Sequence, residues 1–190
     1  ISFSEGHPII KTEKDSYKFE KALIACGAFS KKLTDQVGEK IPLDTERGYH
    51  VHFENMTHLL SRPVIYLNKA TAITPMQQGL RVAGTVEFGG LENPPSKKRI
   101  QNIINNAKTM LPQLEGKKHS DEWLGFRPTV PDYLPVIGAS KNYKNLFYSF
   151  GHQHLGWTLG AISGKIVSGL MAEENTNLDL SAYSSQRFST

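Results

Sequence analysis

Cysteine is nearly absent from this chain of 190 residues: Cys26 stands alone. One thiol excludes an intramolecular disulfide and suits a reducing compartment. In Ala22-Leu23-Ile24-Ala25-Cys26 it is expected to be a small buried hydrophobe closing a strand. No apolar run approaches the roughly 20 residues that span a bilayer, and no secretory leader is visible. A cytoplasmic protein is expected, with peripheral contact at the inner face of a membrane left open. Neither sign of charge dominates, with 22 Lys and Arg against 18 Asp and Glu. The dense basic spots, Lys97-Lys98-Arg99 and Lys117-Lys118-His119, read as solvated surface and not as a nucleic-acid footprint. No G-x-S-x-G supports nucleophilic hydrolysis. No G-x-G-x-x-G follows a strand, so the fingerprint that seats a dinucleotide pyrophosphate is missing.

What is present describes an ordinary globular protein, 38% hydrophobic and 21% charged. Residues 1–16 mix charge with turn formers and hold a hairpin around Gly6-His7-Pro8. Tyr17 to Cys26 passes from alternation into a continuous apolar run, the pattern of a central strand covered on both faces. Gly27-Ala28-Phe29 breaks it, and Ser30 caps a short helix through Val37. Residues 41–90 alternate, as in Tyr49, Val51, Phe53 and again Leu80, Val82, Val86, Phe88, which predicts an antiparallel meander of about four strands. Ser96 caps an amphipathic helix over 97–111 that Pro112 stops; Ile100, Ile103, Ile104 and Ala107 form its apolar stripe. Leu134 to Ile137 and Leu146 to Phe150 are further strands, and Gly156 to Met171 is a helix seeded with glycine.

Two stretches carry the chemistry. The first runs Gly125-Phe126-Arg127-Pro128-Thr129-Val130-Pro131-Asp132-Tyr133-Leu134-Pro135-Val136-Ile137-Gly138. The second is Gly151-His152-Gln153-His154-Leu155-Gly156-Trp157-Thr158. Guanidinium keeps its charge and grips a carboxylate bidentately, so Arg127 is the candidate anchor for an anionic substrate. A glycine turn opening a helix brings backbone close to a flat ligand, with positive potential at the helix N-terminus. Two H-x-H pairs, His50 with His52 and His152 with His154, have no carboxylate or cysteine at familiar ligand spacing, so no metal is expected.

In order, spacing and flanking elements these stretches resemble the C-terminal signature of the D-amino-acid oxidase/dehydrogenase superfamily of flavoproteins, most of all bacterial D-amino-acid dehydrogenases. The resemblance is dense over 121–170, clear at 19–33 and 41–52, and thin over 54–120. It implies an α+β chain: an antiparallel substrate-binding sheet with helices, plus the C-terminal portion of a Rossmann-like FAD-binding domain lacking its G-x-G-x-x-G unit. Residues 1–40 and 121–190 would belong to the FAD-binding domain and 41–120 to the substrate domain. The chain would be the C-terminal part of a longer enzyme, partnered by the missing N-terminal half.

The resemblance further implies FAD as cofactor, approached by Gly27, Gly125, Gly151, His152, Leu155, Gly156, Trp157 and Thr158. Arg127 would bind the substrate carboxylate, with Tyr49 and His154 beside it. Another branch carries its carboxylate arginine where this chain has Val130, which argues against the eukaryotic type of oxidase. The glycine-oxidase branch has arginine at position 154, and many relatives have glycine at position 153. The expected reaction is FAD-dependent oxidation of a D-amino acid or a proline-like secondary amine, its electron acceptor undetermined. A glycine- or sarcosine-oxidase-like enzyme, a non-catalytic subunit and an unrelated α+β ligand-binding domain remain alternatives.

Overall fold

The computed structural model describes residues 1–188. Along the chain run β1 (Ser2–Ser4), β2 (His7–Lys11), β3 (Ser16–Lys18), β4 (Ala22–Ile24), α1 (Ser30–Gln36), β5 (Asp44–Glu54), β6 (Val64–Tyr66), β7 (Thr71–Met76) and β8 (Gly79–Phe88). There follow α2 (Lys97–Met110), β9 (Ser120–Thr129), β10 (Val136–Ala139), β11 (Leu146–Phe150) and α3 (Gly156–Met171). They divide into two compact units, Glu46–Phe126 and Ile1–Thr45 with the chain from Arg127 onward. Among the described residues no helix is long and apolar enough to cross a membrane.

The unit formed by the two chain ends holds two small sheets. β1, β2 and β3 pair antiparallel, and Glu5 and Gly6, both at positive φ, make the two-residue turn of the first hairpin. In the second sheet, ordered β10-β11-β4, β10 is antiparallel to β11 and β4 parallel to it. Alternation along β11 explains its burial on both faces. Leu146, Tyr148 and Phe150 enter a core with Ala22, Ile24, Val37, Ile41, Leu43, Val130 and Val136. Phe147 turns the other way and packs with Ile137 against Val167 of α3. The segment after α3 is clamped back by side chains. Arg187 donates to both carboxylate oxygens of Asp132, at 2.6 and 3.2 Å, and to the Leu134 carbonyl at 2.6 Å. Ser185 donates to the buried Glu39 carboxylate.

Three expectations for this unit are corrected. The stretch from Tyr17 to Cys26 is not one central strand: β3 belongs to the first sheet, and β4 is a three-residue edge strand whose Leu23 is 40% exposed. Cys26 lies beyond that strand and is exposed. Ser30 begins α1 instead of capping it; its hydroxyl accepts from the Cys26 N–H at 3.1 Å. Only chain pairing distinguishes a covered strand from an edge strand when both are apolar.

The other unit is the meander, with β9 added. Its sheet is ordered β6-β7-β8-β5-β9, with antiparallel pairing along β6-β7-β8-β5. One face carries Tyr49, Val51, Phe53, Ile73, Leu80 and Val82 into a core closed by Ile100, Ile103, Ile104 and Ala107 of α2. Each such side chain contributes about 1.5–3 kcal/mol of burial. α2 starts where expected, the Ser96 hydroxyl accepting from the Arg99 N–H. The alternation in β8 breaks at Thr85. Gly48 faces Val86 while Tyr49 faces Gly84, leaving Thr85 as a bulge at φ 64°. Val86 and Phe88 are consequently exposed.

Candidate functional site

The parallel strands β4 and β11 pair Ile24 with Tyr148. Three residues beyond each partner comes a glycine at positive φ, Gly27 at 55° and Gly151 at 81°. Both turns therefore leave the sheet at the carboxyl ends of parallel strands, where open α/β sheets bind their ligands. Gly151 is a requirement of backbone conformation: a Cβ would meet Val130, Pro135 and Val136 only at ordinary contact distance, but L side chains rarely adopt its φ.

The turn entering α3 is held from inside. His152 Nε2 lies 2.9 Å from Ser163 Oγ, tying the turn to the second turn of the helix and beyond. Burial lowers the His152 pKa, so its imidazole is neutral at neutral pH. Gln153 follows at φ 51°, and its Nε2 is buried with no hydrogen-bond partner. α3 begins at Gly156 with no side-chain cap and no acidic residue in its first turn. A 3-10 turn, Gln153–Leu155, leads straight into it, so no side chain offsets the positive end of the helix.

Arg127 lies at the end of β9 and belongs to this same unit. It is half-buried, and its Nη1 is buried without a partner. Thr129, only 7% exposed, has a buried unpartnered Oγ1, and its neighbour Val130 packs beside Gly151. Among the described residues of this unit, the buried side-chain atoms without a hydrogen-bond partner are Arg127 Nη1, Gln153 Nε2 and the hydroxyls of Thr45, Thr129 and Tyr148. Such groups destabilise a fold unless a ligand or water completes them.

The remaining expected residues are distributed unevenly. Gly156 is half-buried, while His154, Leu155, Thr158 and Trp157 are exposed, Trp157 fully. Gly125 lies in the other unit, where the Trp123 ring fills the space a Cβ would need. Its glycine is accounted for by that indole. Tyr49, also in the other unit, points into the core at 2% exposure. Its hydroxyl donates to Glu87 and accepts from the Ser96 N–H at 3.1 Å. Both capacities are used internally, so the sequence expectation that this phenol meets a substrate carboxylate is corrected. Burial, then the Glu87 bond, raises its pKa; donation by Tyr49, then Arg47 and Arg99, lowers that of Glu87.

Alternation puts His50 on the open face of that sheet instead, stacked on Trp123 at 4.6 Å and edge-on to His52 at 5.0 Å. Burial, then the charges of His52 and Arg81, lowers its pKa to about 4. Sequence reasoning weighed His50 only beside Tyr49 and as a possible metal pair with His52, and did not single out Trp123. The alternation of Tyr49 with Val51 and Phe53, which marks Tyr49 as a core residue, was the signal available. Among the described residues no three His, Cys, Asp or Glu side chains are grouped to hold a metal ion.

A family model described as FAD dependent oxidoreductase (DAO) matches residues 2–170. The chain belongs to this family. It is 35% identical over 182 residues to a D-amino-acid oxidase of Bradyrhizobium diazoefficiens, covering 94% of this chain and 43% of that protein. To a D-amino acid dehydrogenase of Vibrio atlanticus it is 29% identical over 190 residues, with the same two coverages. Among solved structures it resembles glycine oxidase from Geobacillus kaustophilus, with TM-score 0.83 and 25% identity over 96% of this chain and 49% of that one. The chain thus spans less than half the length of the curated relatives it matches. FAD is the family's cofactor, and the residues here fit it: an uncapped helix N-terminus, a left-handed glycine beside it and unpartnered buried donors.

Proposed function

We propose that this chain forms the carboxylate-anchoring and flavin-facing part of an FAD-dependent dehydrogenase acting on a D-amino acid or a proline-like secondary amine. The observation that carries the reading is the buried, unpartnered Nη1 of Arg127. A guanidinium cannot shed its charge, so burying its donors is tolerable where an anion completes them. Arg127 holds the substrate carboxylate; the N-terminus of α3 offers N–H groups and positive potential to the ring system; the Gly27 and Gly151 turns let backbone approach it. FAD would be held at the Gly27 and Gly151 turns and the start of α3, and would supply there an acceptor for the hydride of the substrate α-carbon. The protein contributes orientation and electrostatics, and no acid–base group of this chain is needed for that step. Loss of that hydride from carbon and of a proton from nitrogen turns the neutral amine into an imine, which water hydrolyses to a keto acid and ammonia or which stays cyclic for a proline-like substrate. The likeness to glycine oxidase supports a second reading in which the substrate is a smaller primary or secondary amine.

The test is anaerobic addition of D-amino acids, D-proline and glycine to the FAD-loaded protein while its visible spectrum is recorded. Bleaching by a D-amino acid or D-proline supports the proposal, and bleaching by glycine alone supports the second reading. A flavin that none of them bleaches overturns both, and failure to hold FAD points to a non-catalytic subunit. Arg127→Leu should weaken binding of a carboxylate ligand by about a hundredfold, the scale of a lost buried charge-assisted pair. Unchanged affinity removes Arg127 as the anchor.

A further inference from the structure

The open face of the β6-β7-β8-β5-β9 sheet holds a groove floored by two alanines. Residues alternate across a strand, so with Val51, Ile73 and Val82 in the core their neighbours His50, Ala72 and Ala83 take the opposite face. The register sets these side by side. Ile65 pairs with Ala72, Ala72 with Ala83, and Ala83 with His50. Two methyl groups therefore make a low floor between Ile65, 65% exposed, and the His50 ring.

The wall on the β5 side is flat and fixed. Trp123 stacks on His50 at 4.6 Å with 17° between the planes. Sheet order puts Trp123 on the β9 side of the imidazole, so its second face is turned toward β8, over Ala83. Gly125 lets the indole lie where a Cβ would stand, and the strand itself thus holds the backing ring. His50 is uncharged at neutral pH and offers a ring without a charge.

A cation stands at one end of the floor. Arg81, half-buried, lies opposite both Thr74 and His52, in the next row of the same face. The ion pairs of this unit use Arg47, Arg99 and Lys108. Among the described residues Arg81 has none; Glu54, the next residue on this face of β5, is exposed and lies opposite Gly79. Guanidinium keeps its charge and presents paired donors that match a carboxylate. A flat floor, an aromatic wall and one unpaired planar cation together select a ligand with both a ring and an acid group.

We propose that this groove binds an aromatic carboxylate, its ring stacked on His50 over Ala72 and Ala83 and its carboxylate paired with Arg81. The site lies wholly within the unit Glu46–Phe126 and rests neither on FAD nor on Arg127.

The chain has two tryptophans, so Trp157→Phe leaves Trp123, beside the groove, as the sole indole emitter. With 4-nitrobenzoate as the probe, the full chain carrying that substitution should show saturable quenching. Adding Arg81→Leu should weaken binding by about tenfold or more, the scale of a lost charge-assisted pair. The unmodified groove should bind 4-nitrobenzyl alcohol, which lacks the carboxylate, as weakly. Ala83→Leu should fill the groove and abolish saturable quenching, whereas Ala83→Ser, which keeps it open, should preserve it. Arg127→Leu should leave the affinity unchanged. Absence of saturable quenching overturns the proposal, as does equal affinity with and without Arg81. Loss of binding in Arg127→Leu alone also overturns it, by moving the ligand to that arginine. The measurement needs no flavin, so a chain that fails to retain FAD would remove the function proposed above and leave this site standing.

Discussion

His50 shows how one position on a strand decides a side chain's chemistry. Tyr49 and His50 are adjacent in β5, but one enters the core and the other stacks on Trp123. With its pKa lowered to about 4 by burial and by His52 and Arg81, His50 is neutral in the fold where an unfolded histidine, near 6.5, takes up a proton. Between these values the unfolded chain binds more protons, so stability falls as pH drops from about 6.5 toward 4 and is fully present above that window. His50→Gln should flatten this part of a melting-temperature profile; an identical slope in the variant would show that other groups produce it. Arg127 was legible as a functional candidate because a fixed cation between glycine and prolines is chemically informative by itself. The strain and the desolvated amide of Gln153 were not legible: they exist only once Gly151 and α3 have set the backbone around it.

At the scale of elements, one polar network joins β5, β8 and the start of α2. Arg47, 1% exposed, donates to the carbonyls of Gly89, Asn93 and Pro94 and lies 3.4 Å from Glu87. Glu87 also pairs with Arg99 at 3.3 Å and accepts from Tyr49, whose hydroxyl receives the Ser96 N–H. Tyr49→Phe leaves that N–H without its acceptor and takes the phenol from a Glu87 oxygen that keeps Arg47 at 3.4 Å, at a cost of about 1–3 kcal/mol. Thermal melting should show the loss, with FAD content and carboxylate affinity unchanged; a specific loss of substrate affinity would restore Tyr49 to the site. The amphipathic stripe and cap of α2 could be read directly from Ser96, Ile100, Ile103, Ile104 and Ala107, because a helix writes its face at fixed spacing. The bulge at Thr85 could not, since an extra residue is defined only against the strand opposite.

For the whole molecule, the open edge of β4 is the dominant liability. Its sheet ends there, Leu23 is 40% exposed on it, and Trp157 on α3 is fully exposed. Unpaired strand edges with apolar side chains recruit other chains. The isolated chain should therefore self-associate at concentrations near 100 μM, about where weak edge contacts act, and Leu23→Lys should shift it toward monomer in sedimentation velocity. A monomeric unmodified chain would show that the edge is protected. The sequence by itself determined the antiparallel meander, the positions of α2 and α3 and the two stretches around Arg127 and Gly151, because periodicity, capping and glycine placement act over a few residues. Tertiary structure alone decided that β4 is an edge, that Cys26 is exposed and that Gln153 carries a stranded amide. Each of these depends on which distant segment lies alongside, and no local pattern encodes a neighbour more than a few residues away.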